Sequence, residues 1–378
     1  MPDLVKLCSA PSFTFGADPE FFFAKEGEII GAERVINNAG LWANYSKSGY
    51  GGAMVLDGVQ VEIHPMPASC RASVGGSIAE SFRALKDHLV NQKYSGITAS
   101  FKQVIEVPKR ELDALSERSR TLGCGRSENI YGNTSIELAN INAAEYRTRS
   151  AGGHIHIGFP LDYAKGRLPN RSYESLGYRY PLNRFVPLLD VVVGNTCVLL
   201  DRDPGQKERR KLYGRAGEYR TPPYGVEYRT LSNFWLRGHP LFSFVLALCR
   251  FSGAIMMANG KYQPDYEAAL MTSVDLEMVP RAINENDFDL AMRTWVKVKE
   301  FIQAHVQERD TAEWAYDISS NLTICPNDLE ATDYVIAKGI DHFFKEDPVE
   351  HWAGLKDCHG HGWEAFLDKV VKEEMKNG

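Results

Sequence analysis

The sequence predicts an α+β fold on three observations. Up to about Asn233, short β-like runs alternate with glycine-rich turns. From His239 onward, apolar residues recur at helical spacing and the β signals fade. An apolar fraction of 44% and a charged fraction of 24% are those of a globular protein, which sets aside disordered, collagen-like and coiled-coil chains. The 378 residues divide on this basis into an α/β core, 1–238, and a helical C-terminal part, 239–378. No Pro/Gly/Ser linker separates the two, and no internal repeat is visible, so both are expected to pack as one unit.

In chain order, Glu20 to Ala24 and Ile29 to Ala32 flank Glu26-Gly27, and Ala53 to Leu56 and Val59 to His64 flank Asp57-Gly58; both patterns predict hairpins, with Asp57 in the turn. Ser69 stands where an N-cap belongs, before a helix running to about Gln92 with Ile78, Phe82, Leu85 and Leu89 on one face. A strand over Ile97 to Val107 precedes a short charged helix, Lys109 to Ser119, and then a polar, glycine-containing stretch from Gly123 to Ser150. A strand from Gly153 to Phe159 is followed by a helix over Leu182 to Leu200, an arginine-dense loop and a strand from Val226 to Leu231. Helical patterns close the chain at Pro240 to Ala258, Asp289 to Val306, Asp328 to Phe344 and Trp363 to Lys376.

Net charge is −6, and the 43 basic residues are scattered rather than gathered in a stripe, so neither a nucleic-acid nor a membrane partner is expected. The seven cysteines form an odd set with no CxxC pair, which argues against a disulfide framework and a thiolate zinc site and fits a reducing, cytoplasmic setting. Met1 to Ser9 lack the pattern of a secretory signal. The apolar run from Pro240 to Ala258 is interrupted by Arg250 and reads as buried core rather than a membrane span.

Four β-like segments share an unusual property. Each places two chemically active side chains two residues apart, and a strand sends residues i and i+2 to one face. The pairs are Asp18/Glu20, Glu62/His64, His154/His156 and Glu227/Arg229, with Val61, Ile63, Ile155, Ile157 and Tyr228 supplying the opposite, apolar face. A merely solvated strand face favours Thr, Lys and Ser, whereas repeated Glu and His suit an oxygen- and imidazole-lined metal site. Converging carboxylates repel each other unless a hard cation such as magnesium joins them. Arg215, Arg220 and Arg229, in RAGEYRTPPYGVEYR, add the positive charge that a migrating phosphoryl group needs.

Singly, each pair has an ordinary reading: Asp18-Pro19 as a turn, Glu62 as an exposed strand end, Glu227/Arg229 as an internal ion pair. Their coincidence is what points to a site. The Cys358-His359-Gly360-His361 patch reads as a surface loop. The glycine-rich stretches Ser48 to Ala53 and Gly123 to Gly132 match neither GxxxxGK[ST] nor GxGxxG in a strand-to-helix context, and no GxSxG elbow is present.

In order, the segments FGADPEFF, DGVQVEIHP, GGHIHIG and GVEYRTLSNFW resemble the phage-type (type 2) carboxylate-amine ligases, or amidoligases, of the glutamine synthetase and glutamate-cysteine ligase superfamily. The resemblance spans roughly residues 13 to 237 and does not reach the helical tail. It implies a curved antiparallel sheet binding ATP and two or more magnesium ions, with manganese as a substitute, on its concave face. Carried over residue by residue, it implies metal ligands at Asp18, Glu20, Glu62, His154 and Glu227, contacts to ATP phosphate from His156, Arg215 and Arg220, and catalytic roles for Arg220, Arg229 and Glu227. Asp-Pro-Glu departs from the Glu-x-Glu of many relatives, which leaves direct metal contact by Asp18 open. Asp57 or Glu218 would deprotonate the amine. The implied reaction joins a small-molecule or peptide carboxylate to an amine through an acyl phosphate, in the cytoplasm (the host's, for a phage protein), with room for a homo-oligomer. Two alternatives stay open: a phosphotransferase or ATPase on the same fold, and a non-catalytic binding protein.

Overall fold

The computed structural model describes residues 13–37, 40–42, 51–120, 127–132, 145–158, 182–258, 261–262, 264–305, 328–356, 358 and 361–377. Its fold is α+β. The strands of the front half are β1 (Thr14–Lys25), β2 (Glu28–Ile30), β3 (Leu41–Trp42), β4 (Gly52–Asp57), β5 (Gln60–Pro65), β6 (Ile97–Ser100), β7 (Val104–Glu106), β8 (Glu128–Asn129), β9 (Thr148–Ser150), β10 (Gly153–Gly158), β11 (Glu218–Arg220) and β12 (Gly225–Tyr228). Ten of them form one antiparallel sheet in the order β3-β4-β5-β1-β10-β12-β11-β8, with β2 and β6 also pairing to β1. A separate ladder joins β7 to β9.

Both hairpins form. Glu26 and Gly27 turn with φ of 53° and 85°, the positive values that a tight hairpin needs. In the second hairpin Asp57 pairs with Gln60, so the loop is Gly58-Val59 and Asp57 ends β4 instead of lying in the turn. The cause is Gly58, which takes the left-handed φ of 60° that the turn requires.

One face of the sheet is apolar. Phe15, Ala17 and Phe21 of β1, Val61 and Ile63 of β5, Ile155 and Ile157 of β10 and Val226 and Tyr228 of β12 are all buried there, against helices. The helix Arg71–Asn91 contributes Val74, Ile78, Phe82 and Leu85, all buried; it is capped at Cys70 rather than Ser69, with no side-chain cap bond. The segment Leu182–Leu200 is helical throughout but contains a π turn at Asp190–Gly194. Among the described residues two helices, Leu182–Leu200 and His239–Met256, are long and apolar enough to cross a membrane; all 18 residues of the second are buried inside the protein. The apolar cluster runs from Phe13 to Val371, so the helical tail and the sheet share one core.

Other boundaries differ from the sequence reading. The strand expected over Ile97 to Val107 is split into β6 and β7, and the Lys109 helix into Lys109–Ala114 and Glu117–Arg120. The arginine-dense loop after Leu200 holds a helix, Gly205–Leu212, because Arg209 finds carbonyl partners on the neighbouring strand segment. The Asp328 helix breaks at Gly339, whose φ is 84°, and the last helix passes through a π turn at Leu367–Val371. Cys358 is buried rather than on a surface loop, His361 is exposed, and His359 lies outside the described residues, as do most of Gly123 to Ser150 and part of Ser48 to Ala53.

A candidate metal and phosphate site on the open sheet face

Antiparallel register brings the four motif pairs together. Asp18 on β1 lies opposite His154 on β10, and Glu20 opposite Glu62 on β5. His156 lies opposite Glu227 on β12, which lies opposite Arg220 on β11. Directly opposed residues share a face, so these side chains, with Arg229 two residues beyond Glu227, stand on the side away from the helices. Farther along that side of β1, Phe22 packs into a small second cluster with Val59, Ile105, Val107, Leu112, Leu115 and Ala151. That cluster closes one end of the polar patch.

Ligand atoms of Asp18, His156 and Glu227 lie within 4.8 Å of one another. His156 Nε2 is 3.2 Å from Asp18 Oδ2; His154 Nδ1 is 3.2 Å from Asp18 Oδ1 and 3.6 Å from Glu227 Oε1. Arg220 Nη1 and Arg229 Nη1 are each 3.5 Å from Glu227 Oε1. Asp18 Oδ1, both ring nitrogens of His154, His156 Nε2 and Glu227 Oε1 are buried without a hydrogen-bond partner. Such groups are costly unless something completes them. Two carboxylates and one imidazole at this spacing fit a hard divalent cation, so the donor set suits magnesium or manganese.

The remaining carboxylates sit alongside. Glu20 is 2% exposed; its Oε2 accepts from Gly152 N at 2.5 Å and from the Tyr213 hydroxyl at 3.0 Å. Glu62 Oε2 is 3.1 Å from His64 Nε2. Asp57 is near enough to act on the charges of Glu20 and Glu62. Glu218, fully buried, accepts from Gly214 N at 2.8 Å. Arg215 is half-buried in the turn before β11, its carbonyl accepting from Thr230 Oγ1 at 3.0 Å. Thus, apart from Arg215 in its turn and Arg229 just after β12, the residues assigned from sequence lie on neighbouring strands; His156 forms a three-residue group with Asp18 and Glu227, and His154 Nδ1 lies within 3.6 Å of the same two carboxylates.

Crowding shifts the charges. Burial works against the ionised Asp18 carboxyl, but the imidazoles of His154 and His156 outweigh it and hold the group well below the carboxylate range. Burial, then the nearby Asp57 and Glu62, push Glu20 well up. Burial likewise raises Glu62 to about 7, against the opposing contact with His64. His154 is lowered by burial and by Arg229, whereas Asp18 raises His156 in spite of its burial. Carboxyls pushed upward beside one pulled downward are what a shared cation would rebalance.

The glycines before the histidines are needed for packing. A Cβ on Gly152 would come within 2.6 Å of His154 Nε2, and one on Gly153 within 2.2 Å of the Ser232 carbonyl. Sequence reading did not single out three further residues. Tyr213, at the end of the Gly205–Leu212 helix, bonds Glu20 and meets His154 edge-on, ring centroids 5.7 Å apart. Arg209, fully buried, donates to the carbonyls of Thr230 at 2.9 Å and Leu231 at 2.6 Å, fixing the chain just after Arg229. Tyr224 bonds His156 Nδ1. Neither tyrosine belongs to an i, i+2 pair; only the preceding Pro222-Pro223 marks Tyr224 as a presented residue.

Beside the cluster is a cavity of about 410 Å³. Phe15, Pro65, Pro67 and Tyr224 line it, and Asp18 and His156 sit at its polar edge. An apolar hollow next to a cation-binding group suits a ligand with a flat ring at one end and phosphates at the other.

No family model matches the sequence, and no curated protein matches it. Among solved structures, apo GmaS without ligand aligns with 85% of this chain and 74% of its own at 15% identity and a TM-score of 0.35. The GmaS/ADP complex in conformation 1 aligns over the same shares at 15% identity and a TM-score of 0.33. Overlap at that level identifies neither a family nor an activity.

Proposed function

We propose that the chain is an ATP- and magnesium-dependent carboxylate-amine ligase of the phage-type amidoligase kind, acting in the cytoplasm. The observation that carries this reading is the Asp18, His156 and Glu227 group, with ligand atoms within 4.8 Å of one another and two arginines 3.5 Å from Glu227. In the reaction a substrate carboxylate attacks the γ-phosphate of ATP to give an acyl phosphate and ADP, and an amine then displaces phosphate, losing a proton as the amide forms.

Asp18, His156 and Glu227 would hold one cation, with His154 beside Asp18 and Glu227; Glu20 and Glu62, opposed across β1 and β5, would offer carboxylates to a second. Bound magnesium neutralises phosphate oxygens. Arg220 and Arg229 direct positive charge at the phosphoryl group in transit, and Arg209 keeps Arg229 in place through the carbonyls that follow it. Asp57, raised by burial and by the Asp18 charge, is a proton acceptor for the incoming amine. The cavity beside His156 takes the nucleobase. Residues 1–238 carry this chemistry and 239–378 buttress it. Substrates on this reading are a small-molecule or peptide carboxylate and an amine, with no nucleic acid or membrane involved.

The test is incubation with ATP and Mg²⁺ against pools of carboxylates and amines, following ADP by ³¹P NMR and new amides by mass spectrometry. Amine-dependent amide formation is expected. A stable phosphorylated product would make the chain a kinase instead, and ADP release indifferent to amine would make it an ATPase.

A further inference from the structure

We propose that Tyr224 is a positioning and specificity residue that couples the apolar cavity to the cation site: its hydroxyl orients His156 and its ring walls the space for the nucleobase. This deepens the nucleotide reading above and rests on it.

Tyr224 ends a Thr221-Pro222-Pro223 segment immediately before β12, and the paired prolines restrict the backbone that presents it. Tyr224 is 45% exposed. It meets His156, with ring centroids 5.9 Å apart at 33° and the hydroxyl on Nδ1. An imidazole can coordinate through Nε2 only when Nδ1 carries the proton, and an acceptor on Nδ1 selects that form and fixes the ring plane. On the proposed arrangement the Tyr224 oxygen, in contact with Nδ1, serves as that acceptor. The nitrogen it leaves for the cation is the one that lies 3.2 Å from Asp18 Oδ2 and is buried without a hydrogen-bond partner. Tyr224 also lines the cavity of about 410 Å³, together with Phe15, Pro65 and Pro67. One side chain therefore touches both halves of the site. Its ring contributes stacking area and its oxygen contributes the alignment of a ligand.

Isothermal titration of the full-length protein with Mn²⁺ alone, and with ADP at saturating Mn²⁺, separates the two roles in wild type, Tyr224→Phe and Tyr224→Leu. Phe keeps the ring: ADP affinity is expected within about threefold of wild type once Mn²⁺ is saturating, while Mn²⁺ alone binds roughly tenfold more weakly, as for loss of a partner that orients a ligand. Leu is expected to weaken Mn²⁺ similarly and ADP by about tenfold or more, as for loss of one aromatic stack. Melting curves verify that both variants are folded. Wild-type Mn²⁺ affinity in Tyr224→Phe would overturn the orienting role, and wild-type ADP affinity in Tyr224→Leu would overturn the wall. A wild-type protein that binds Mn²⁺ but no ADP would overturn the nucleotide reading itself, a result distinct from either.

Discussion

Glu227 and Asp201 are equally withdrawn from water, each 5% exposed, yet their surroundings differ in kind. Asp201 accepts from Gln103 Nε2 at 2.6 Å, from Ser232 Oγ at 2.6 Å and from Gln206 Nε2. Neutral donors bond it, with the charges of Arg210 and Asp203 nearby, and tie the segment ahead of β7 to the Gly205–Leu212 helix and to the segment after β12. Glu227 Oε1 is instead ringed by Arg220, Arg229 and His154 at 3.5, 3.5 and 3.6 Å, beyond good hydrogen-bond length, and has no hydrogen-bond partner. A buried acid closed by amides and hydroxyls holds a fold together. One left among cations and other acids is arranged for something that arrives.

The largest effect that tests this contrast is Glu227→Gln. Turnover is expected to fall by at least about a hundredfold, as for loss of one preorganised charged contact, with no loss of melting temperature. A large loss of stability would put Glu227 in the class of Asp201.

Asp190 supplies a third kind of buried acid. Burial pushes its carboxyl to about 7, and the Tyr228 hydroxyl donates to it at 2.6 Å on the helix side of the sheet. With the folded value raised above 3.8, the folded state holds a proton that the unfolded chain has lost, so this group's contribution to stability is complete below about pH 3.8 and declines until about pH 7. Asp190→Asn mimics the neutral form. Its stability relative to wild type should therefore rise between pH 4 and pH 7, by at most about 4 kcal/mol at 1.36 kcal/mol per unit. Urea denaturation across that range measures it, and a flat difference would show that Asp190 is ionised in the folded protein.

Smaller again is Asp201→Ala. Removing the acceptor of Gln103 Nε2 and the Ser232 hydroxyl, while Gln206 Nε2 keeps only Gln103 Oε1, should cost about 2–3 kcal/mol in the same denaturation, with nucleotide turnover per folded molecule retained. Loss of turnover at unchanged stability would invert the comparison.

How much of this was legible follows from the physics of each element. Period-two pairing in β1, β5, β10 and β12 is written in the local sequence, and with it the division into a polar and an apolar face. Helix His239–Met256 was equally visible as an apolar run. That both imidazoles would crowd the same two carboxylates, Asp18 and Glu227, was not visible, because it depends on side-chain direction across three strands. Tyr213 and Arg209 escaped notice for a similar reason: Arg209 lies on, and Tyr213 just after, a helix whose location over Glu20 and the Thr230 carbonyl comes from tertiary packing, without a local repeat. The Asp57 turn was misplaced by one residue because Asp-Gly and Gly-Val loops differ only in which residue the strand ladder captures.

The cross-strand partnership of Asp18 with His154 and of His156 with Glu227 also bears on how the protein matures. Sliding β10 by a single position would turn both imidazoles toward the helices and Ile155 and Ile157 toward water, exchanging the roles of the two surfaces at a stroke. Assembly of the binding groups and burial of the interior are thus one event, and a chain that has not locked this alignment has neither.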